Sequence, residues 1–309
     1  MKISGFSFVR DGVRFGYPFE ESIRSALPLC DEFVVAVGEC QDETLERLQA
    51  MDEPKLRILP TRWNENIRRH GYVYAQQKMI AQFNCTGDWA LYLESDELLH
   101  EDELDRLRYV MEKALNDPRV EALAFDYHHF WGEPGLVRNT PGAYRKATRA
   151  IKNDLRSIAP DGLYWAIIRN RNLIGRRNKR RTRYPRALDT GVHIYHYGNT
   201  RAEHYLKPRA RTVNQYWSRE IWFDQYGNIS PATVEPFTGT HPSAIREWLA
   251  EHGNQELRFN PEHRLTRRQR KHLMLAALER KFGWDFSKKH FRIVASAGDY
   301  GSKNEAGQG

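Results

Sequence analysis

Residues 87–97 read Gly87-Asp88-Trp89-Ala90-Leu91-Tyr92-Leu93-Glu94-Ser95-Asp96-Glu97. The apolar residues 91–93 are typical of a buried strand, and the chain is expected to turn at Ser95 before a helix begins at Glu101. Three carboxylates therefore follow directly after the end of a strand. In an open α/β sheet the ligand crevice lies at the carboxyl ends of the strands, so this stretch predicts both the fold and the position of a site.

The three carboxylates belong to Glu94, Asp96 and Glu97. Hard oxygen ligands on a short loop favour Mg²⁺ or Mn²⁺ over zinc, and a metal-assisted transfer enzyme is the first hypothesis. The alternative is structural, because acidic side chains also stabilise the positive end of a following helix.

Composition sets the class of protein. The chain has 309 residues, 40% hydrophobic content and a net charge of +8, which is enough for one large globular domain or two smaller ones. It has no apolar run near the roughly 18 residues of a membrane span, and its first residues are too polar for a signal peptide, so the cytoplasm is the expected location. Cys30, Cys40 and Cys85 lack zinc-site spacing and are expected to be reduced thiols.

The N-terminal third alternates between two kinds of hydrophobic pattern, which predicts a βαβ series with a parallel sheet. Strand-like runs cover Ile3 to Val9, Phe33 to Val37 and Leu56 to Leu59. Helix-like runs cover Pro18 to Ala26, Thr44 to Ala50 and Gly71 to Phe83. After a further helix and strand, the region between Arg138 and Tyr184 is short of apolar periodicity and rich in Arg. It is interpreted as a mobile, basic surface loop that culminates in residues 176–183.

Several landmarks occur in a fixed order: the strand 30–37, the sequence Asp42-Glu43-Thr44, a helix that contains Gln77, and residues 87–97. This order resembles family 2 glycosyltransferases, which have the GT-A fold. The resemblance implies a Rossmann-like central sheet with flanking helices, a nucleotide-sugar donor, and Mn²⁺ or Mg²⁺. It places Asp42 near the nucleotide and Glu94-Ser95-Asp96 at the metal-binding DxD signature. Val37 stands where the family usually has a base-binding Asp, and Glu94 replaces the first Asp of the signature.

The segment Gly191-Val192-His193-Ile194-Tyr195-His196-Tyr197-Gly198 resembles a cytoplasmic bacterial branch of the same enzymes. In that branch a histidine returns to the metal and the diphosphate. His193 and His196 are three residues apart, so on a strand their rings face opposite sides, and His196 is the expected metal ligand beside Glu94 and Asp96. The alternative is a pair of partly buried histidines without a chemical role.

The resemblance also implies an organisation of the chain. Residues 1–240 would form the transferase domain, with a nucleotide-binding half, 1–100, and an acceptor half, 101–240. A helical extension would occupy 241–296 and a disordered tail 297–309.

Cations and a general base complete the expected site. Arg68, Arg69 and Lys78 precede the acidic strand, where the family places donor contacts, although an ordinary solvated helix face would look the same. An inverting transfer needs a carboxylate that deprotonates the acceptor hydroxyl. Asp161, which follows Pro160, is the first choice, and Glu133 and Asp126 come after it. Aspartate in Pro-Asp-Gly is also ordinary turn chemistry.

Trp131, Tyr144, Tyr164 and Trp165 are expected on the acceptor side, because sugar rings stack on aromatic faces. Core packing is the alternative for most of them. The acceptor itself is expected to be a glycan or a lipid-linked molecule, as in polysaccharide biosynthesis by hexosyltransferases.

Two other classes of protein compete with this interpretation. The basic cluster within residues 176–183 would suit a nucleic-acid-binding protein, but no recognition motif accompanies it, and an acidic mouth repels a polyanion. Peripheral contact with an anionic membrane fits the cluster better. A nucleotidyltransferase that makes sugar nucleotides shares the fold style, but its Gly-rich phosphate loop is missing near the N-terminus.

Overall fold

A parallel unit of four strands occupies the N-terminal third. The computed structural model describes residues 1–138, 140–169, 182–217, 225–287 and 289–301. The strands are β1 (Ile3–Val9), β2 (Glu32–Val37), β3 (Leu56–Pro60) and β4 (Trp89–Tyr92), in the order β4-β1-β2-β3. All three pairings are parallel. The connections contain the helices α1 (Phe19–Ala26), α2 (Thr44–Ala50) and α3 (Tyr72–Phe83). The predicted βαβ series is confirmed.

The rest of the main sheet is mixed and continues beyond β4. A two-residue strand β5 (Glu97–Leu98) and helix α4 (Leu104–Leu115) lead into β6 (Ala122–Trp131), β7 (Glu133–Arg138) and β8 (Lys146–Lys152). The sheet order is β13-β7-β6-β8-β4-β1-β2-β3, where β13 is Val234–Pro236. The 14-residue strand β12 (Arg186–Asn199) pairs with β5 and runs parallel to β6. A separate small sheet contains β9 (Ser157–Ile158), β10 (Ala166–Ile168) and β11 (Thr182–Arg183).

The interpretation of the region after Arg138 as a surface loop is wrong for β8. This strand lies in the middle of the sheet, antiparallel to both β4 and β6, and its five central residues are buried. Its sequence, Lys-Ala-Thr-Arg-Ala-Ile-Lys, hides this position because a buried Arg149 interrupts the apolar pattern. The charge of that arginine is compensated by carboxylates that are distant in sequence.

The core lies on both faces of the sheet. On one face, α1, α2 and α4 contribute apolar residues such as Ile23, Leu48 and Leu107. On the other face, Ala81 of α3 packs with Trp165 and the side chains of β1 and β4. This double covering leaves the carboxyl end of the parallel unit as the place where polar groups gather.

The C-terminal segment returns to the sheet. The helices α6 (Arg246–His252) and α7 (Arg267–Phe282) lie within the predicted helical extension, as does β14 (Arg292–Ser296), which pairs in parallel with β12. Tyr300, in the region predicted to be a disordered tail, is part of a 3-10 turn and donates its hydroxyl proton to Asp117 at 2.8 Å.

Residues 176–181 of the basic cluster and residues 302–309 of the tail lie outside the described residues. Within the described ranges, none of the helices combines the length and the apolar composition needed to cross a membrane.

Candidate functional site

A cavity of about 380 Å³ opens where β1 and β4 end. Val9 and Arg10 line it at the end of β1, and Glu94, Ser95 and Asp96 line it after β4. The turn is held in place locally, because the Ser95 hydroxyl donates to the carbonyl of Phe8 at 3.0 Å and the Glu97 amide donates to the carbonyl of Glu94 at 2.9 Å. The acidic turn therefore lies at the carboxyl edge of the parallel unit, where the sequence places it.

Asp96 is a buried carboxylate whose two oxygens have different neighbours. Oδ2 accepts a hydrogen bond from the Arg201 guanidinium at 3.0 Å, and Oδ1 lies 3.6 Å from Nε2 of His196. Arg201 is itself fully buried. Burial raises the pKa of Asp96, but His196 and Arg201 outweigh that effect, so the net shift of the pKa is downward. Asp96 is therefore ionised, and Arg201 is the partner that the sequence did not reveal.

Glu94 and Glu97 share one arginine. Arg149 of β8 donates to Oε1 of Glu94 at 2.7 Å and to both carboxylate oxygens of Glu97 at 2.6 and 2.7 Å. Glu97 is fully buried and also accepts from the Tyr127 hydroxyl at 2.8 Å, whereas Glu94 lines the cavity. Burial and the neighbouring Glu97 raise the pKa of Glu94, and Arg149 opposes them. Two of the three carboxylates, Glu94 and Asp96, thus face the cavity.

The hydrogen bonds of His129 determine the tautomer of His196. Nε2 of His129 lies 2.7 Å from the carbonyl of Tyr144, which only accepts, so this nitrogen carries the proton. Burial and His196 hold the pKa of His129 well below its ordinary value, which makes the ring neutral and its Nδ1 an acceptor. Nδ1 of His196 lies 2.9 Å away and must donate to it. Burial lowers the pKa of His196 as well, although Asp96 opposes this. In the neutral ring, with its proton on Nδ1, the lone pair is on Nε2.

When His196 is neutral, two electron-pair donors face each other without a proton between them. These are Nε2 of His196 and Oδ1 of Asp96, and both residues line the cavity. A Cβ at Gly198 would lie 2.7 Å from Nε2 of His196 and 2.9 Å from Oδ2 of Asp96, so only a glycine leaves this space open. A carboxylate oxygen and a neutral imidazole suit Mn²⁺ or Mg²⁺, and the residues present fit such an ion.

Glu94 is less closely associated with the other two predicted ligands. It lines the same cavity, but the ligand atoms of Glu94, Asp96 and His196 do not all lie within 4.8 Å of one another. Among the described residues, the three whose ligand atoms do lie this close together are Asp11, Cys40 and Asp42. Asp42 Oδ1 accepts from the Thr44 amide at 3.1 Å and Oδ2 from the Arg14 amide at 2.7 Å, which stabilises the entry to α2. Asp42 is not part of the cavity lining.

The predicted donor cations lie elsewhere. Arg68 is exposed, and its Nε donates to the Glu65 carbonyl at 2.9 Å. Lys78 is fully buried over the rings of Trp165 and Tyr92, at 3.8 and 4.1 Å, and burial followed by Arg149 lowers its pKa well below the ordinary value. Neither side chain lines the cavity. The buried position of Lys78 over two aromatic rings indicates a role in packing.

Two other arginines line the cavity. Arg10 directly follows β1, so its place at the end of a strand is a signal that the sequence contained. Arg209 belongs to helix α5 (Leu206–Trp217), and its Nε donates to the Tyr17 hydroxyl at 2.9 Å. No local pattern marks Arg209, since its position depends on how α5 packs against the sheet.

Asp161 lines the cavity, as a base would have to. Its Oδ1 accepts from the backbone amides of Leu163 at 2.7 Å and Tyr164 at 3.3 Å. The two alternative bases lie outside the cavity lining: Glu133 accepts from the Leu257 amide at 2.9 Å, and Asp126 pairs with Lys146 at 2.7 Å.

Of the four aromatic residues expected on the acceptor side, Trp131, Tyr164 and Trp165 do not line this cavity. Trp131 and Trp165 are buried, and their indole nitrogens donate to the Tyr226 carbonyl and the Gln82 side chain, while Tyr164 stacks on His290 at 4.0 Å. The wall of the cavity is nevertheless largely aromatic. It contains Tyr144, which the sequence placed on the acceptor side, together with Phe8, Tyr17, Trp63, Tyr74, Tyr92 and Trp217.

Comparison with known proteins gives partial similarity. No family model matches the chain, and no curated protein matches its sequence. Among solved structures, TarS 1-349 of S. aureus has 13% identity and a TM-score of 0.33, over 50% of this chain and 47% of TarS 1-349. A complex of TarS 1-349 with UDP-GlcNAc has 14% identity and a TM-score of 0.32, over 50% and 46% of the two chains.

Glucosyl-3-phosphoglycerate synthase of Mycobacterium tuberculosis, in complex with Mn²⁺, UDP and glucosyl-3-phosphoglycerate, has 16% identity and a TM-score of 0.28. The similarity covers 42% of this chain and 44% of the synthase. The chain thus spans less than half the length of these solved structures. At such TM-scores the similarity carries no weight for function, so the function has to be argued from the cavity.

Proposed function

We propose that this chain is a GT-A-type glycosyltransferase that moves a sugar from a nucleotide-diphosphate donor to a glycan or lipid-linked acceptor. One observation carries the proposal. Asp96 and His196, which are 100 positions apart, face each other across 3.6 Å in a cavity that also contains Glu94, Arg10 and Arg209. A carboxylate–imidazole pair beside two cations, at the carboxyl end of a parallel unit, suits a nucleoside diphosphate and its metal ion.

The donor would bind mainly through charge and aromatic surface. The guanidinium groups of Arg10 and Arg209 would contact the diphosphate, and rings such as Trp63 and Tyr74 offer flat faces for the nucleobase. Glu94, Asp96 and His196 would hold Mn²⁺ or Mg²⁺, which supplies positive charge that neutralises the departing diphosphate. Arg201 keeps Asp96 ionised and oriented for that task.

The acceptor hydroxyl would approach from the side of Asp161. Because Oδ1 of Asp161 already accepts two backbone amides, Oδ2 is the oxygen that would take the proton. Transfer by this route would invert the anomeric carbon, since the base and the leaving diphosphate would lie on opposite sides of the sugar. The aromatic ring of Tyr144 offers a stacking surface for one of the sugars.

The proposal is tested with a thermal-shift panel of UDP, GDP, CDP, dTDP and ADP, each with Mn²⁺, Mg²⁺ or EDTA. A ligand at a hundredfold excess over its dissociation constant stabilises the native state by roughly 2.7 kcal/mol. We expect one diphosphate to raise Tm in a metal-dependent way. Arg209→Gln should weaken that shift, whereas Arg246→Gln, which removes an exposed arginine of α6, should preserve it.

A panel without any metal-dependent shift would contradict the proposal. The nucleotidyltransferase alternative makes a different prediction, since it requires release of pyrophosphate from a nucleoside triphosphate and a sugar phosphate. Detection of released pyrophosphate would therefore replace the glycosyltransferase assignment with that of a nucleotidyltransferase.

A further inference from the structure

A second cavity, of about 240 Å³, adjoins the first. Tyr144 lines both cavities, and its ring packs against Tyr127 and His129 with centroid distances of 4.9 and 4.8 Å. Arg138 from the end of β7 and Thr140 line the second cavity on the other side. A ligand in the second cavity would therefore be separated from the proposed transfer site by a single aromatic side chain.

Three polar atoms in this second lining have no hydrogen-bond partner within the described part of the chain. They are Oγ1 of Thr140, Nε of Arg138 and Nε of Arg145. Thr140 is only 1% exposed. A buried donor without a partner destabilises the folded state, so three in one cavity indicate a site built for an acceptor of hydrogen bonds.

The charges that line the second cavity indicate which kind of ligand it could bind. Among the described residues, no carboxylate lies within 4.0 Å of the Arg138 guanidinium, which packs over the Trp131 ring at 4.7 Å. Burial lowers the pKa of Arg138, and the positive charge of the nearby Arg268 lowers it further.

The other charged groups of the lining are balanced or exposed. Arg145 pairs with Glu279 at 2.6 Å, Asp126 pairs with Lys146 at 2.7 Å, and Glu235 is exposed to solvent. Among the described residues, the charge of the second cavity that has no counter-charge is therefore that of the half-buried Arg138.

We propose that the second cavity binds an anionic substituent of the acceptor, a phosphate or a carboxylate, through the Arg138 guanidinium and the Thr140 hydroxyl. The inference rests on the proposed function, because the nearness of the donor cavity is what assigns the anion to the acceptor. It narrows the acceptor class to glycans or lipid-linked molecules that carry a negative charge close to the hydroxyl that reacts.

Isothermal titration calorimetry tests the site with inorganic phosphate and glucuronate, which separate the two anion types, and with glucose as an uncharged control. The protein is first saturated with Mg²⁺ and the diphosphate selected by the panel, so that the first cavity is occupied. We expect one anion to bind and glucose not to bind. Arg138→Met should weaken binding roughly tenfold to hundredfold, and Thr140→Val less, because hydrogen bonds to charged groups are the stronger ones. Arg246→Gln should change nothing.

Unfolding measurements separate a binding role from a structural one. Arg138→Met removes a half-buried charge that has no carboxylate partner among the described residues, and it also removes the contact of the guanidinium carbon with the Trp131 ring. If the arginine serves a ligand, the free variant should lose no more stability than the loss of this one cation–π contact explains. A larger loss of stability, or anion affinity of the variant equal to that of the wild type, would overturn the proposal, as would the absence of anion binding by the wild type.

Failure of the second anion site can be distinguished from failure of the proposed function. If no diphosphate binds, the anion titrations are repeated on Arg209→Gln, which alters only the first cavity. Anion binding that depends on Arg138 but not on Arg209 would leave the second cavity as an anion site and would remove the transferase assignment. Dependence on Arg209 alone would overturn the second site.

Discussion

At the scale of single residues, Asp96 combines two tasks that different substitutions separate. Its Oδ2 compensates the buried Arg201, and its Oδ1 faces His196. Asp96→Ala leaves Arg201 as an uncompensated buried charge, which should lower the free energy of unfolding by about 3–5 kcal/mol. Asp96→Asn keeps an oxygen for Arg201 and should cost less. Urea denaturation of both variants measures this difference.

Both Asp96 variants should lose the metal-dependent Tm shift with the diphosphate, because neither has a carboxylate oxygen for the ion. A shift of wild-type size in Asp96→Asn would show that the metal does not depend on this residue.

His129 is expected to position His196 through one hydrogen bond. Its Nδ1 accepts from Nδ1 of His196 and so directs the lone pair of the other nitrogen towards Asp96. His129→Asn retains an acceptor close to that position, whereas His129→Phe removes it. Loss of such a supporting partner typically weakens metal binding 10–100-fold, and we expect this for the Phe variant but not for the Asn variant.

Mn²⁺ binding followed by electron paramagnetic resonance measures this effect without any turnover. Equal affinities in the two variants would contradict the positioning role.

At the scale of elements, Glu121 joins the beginning of β6 to the strands β11 and β12. It accepts from Arg183 of β11 at 2.5 and 2.6 Å, and from the amide and the guanidinium of Arg186 in β12 at 2.9 and 3.1 Å. Burial alone would raise the pKa of Glu121, but these hydrogen bonds outweigh it and lower the pKa to about 2.

This depressed pKa predicts how stability depends on pH. An unfolded glutamate titrates near 4.5, so the unfolded state binds more protons between that value and 2, and the contribution of Glu121 is complete above 4.5 and disappears as the pH falls towards 2. Glu121→Gln should cost roughly 2 kcal/mol at pH 7 and progressively less below pH 4.5. The free energy of unfolding in urea at several pH values measures this. Glu46→Gln, at an exposed position of α2, is the control, and a cost independent of pH would refute the account.

At the scale of the whole molecule, the net charge of +8 bears on where the protein would work. We propose peripheral binding to an anionic membrane through Arg176, Arg177, Lys179, Arg180 and Arg181. Each basic residue near such a surface contributes about 1 kcal/mol. Arg183 belongs to the same cluster in sequence, but it pairs with Glu121 and should be left intact in any variant.

Sedimentation with liposomes tests membrane binding. The wild type should bind vesicles that contain anionic lipid and not neutral ones, and a variant with glutamine at the five positions should lose that binding. Equal binding to both kinds of vesicle would contradict an electrostatic mechanism.

The sequence by itself determined the parallel unit and the place of the acidic turn. Both depend on local information: apolar runs such as residues 33–37 separated by amphipathic helices, and carboxylates placed directly after a strand. The offset of His193 and His196 also sufficed to separate the two rings, since only His196 lines the first cavity and His193 lines the second.

Only the tertiary structure decided which charges meet. Arg149 and Arg201 are 52 to 105 positions away from the carboxylates that they bind, and no local pattern records such a distance. For the same reason the sequence did not reveal β8. Its arginine is typical of a surface residue, and only the fold brings Glu94 and Glu97 close enough to compensate its charge. Pattern and spacing therefore determine elements, because they depend on neighbours in the chain. The ionic partners of a buried site depend on neighbours in space, because a charge enters a core only where the fold supplies its counter-charge.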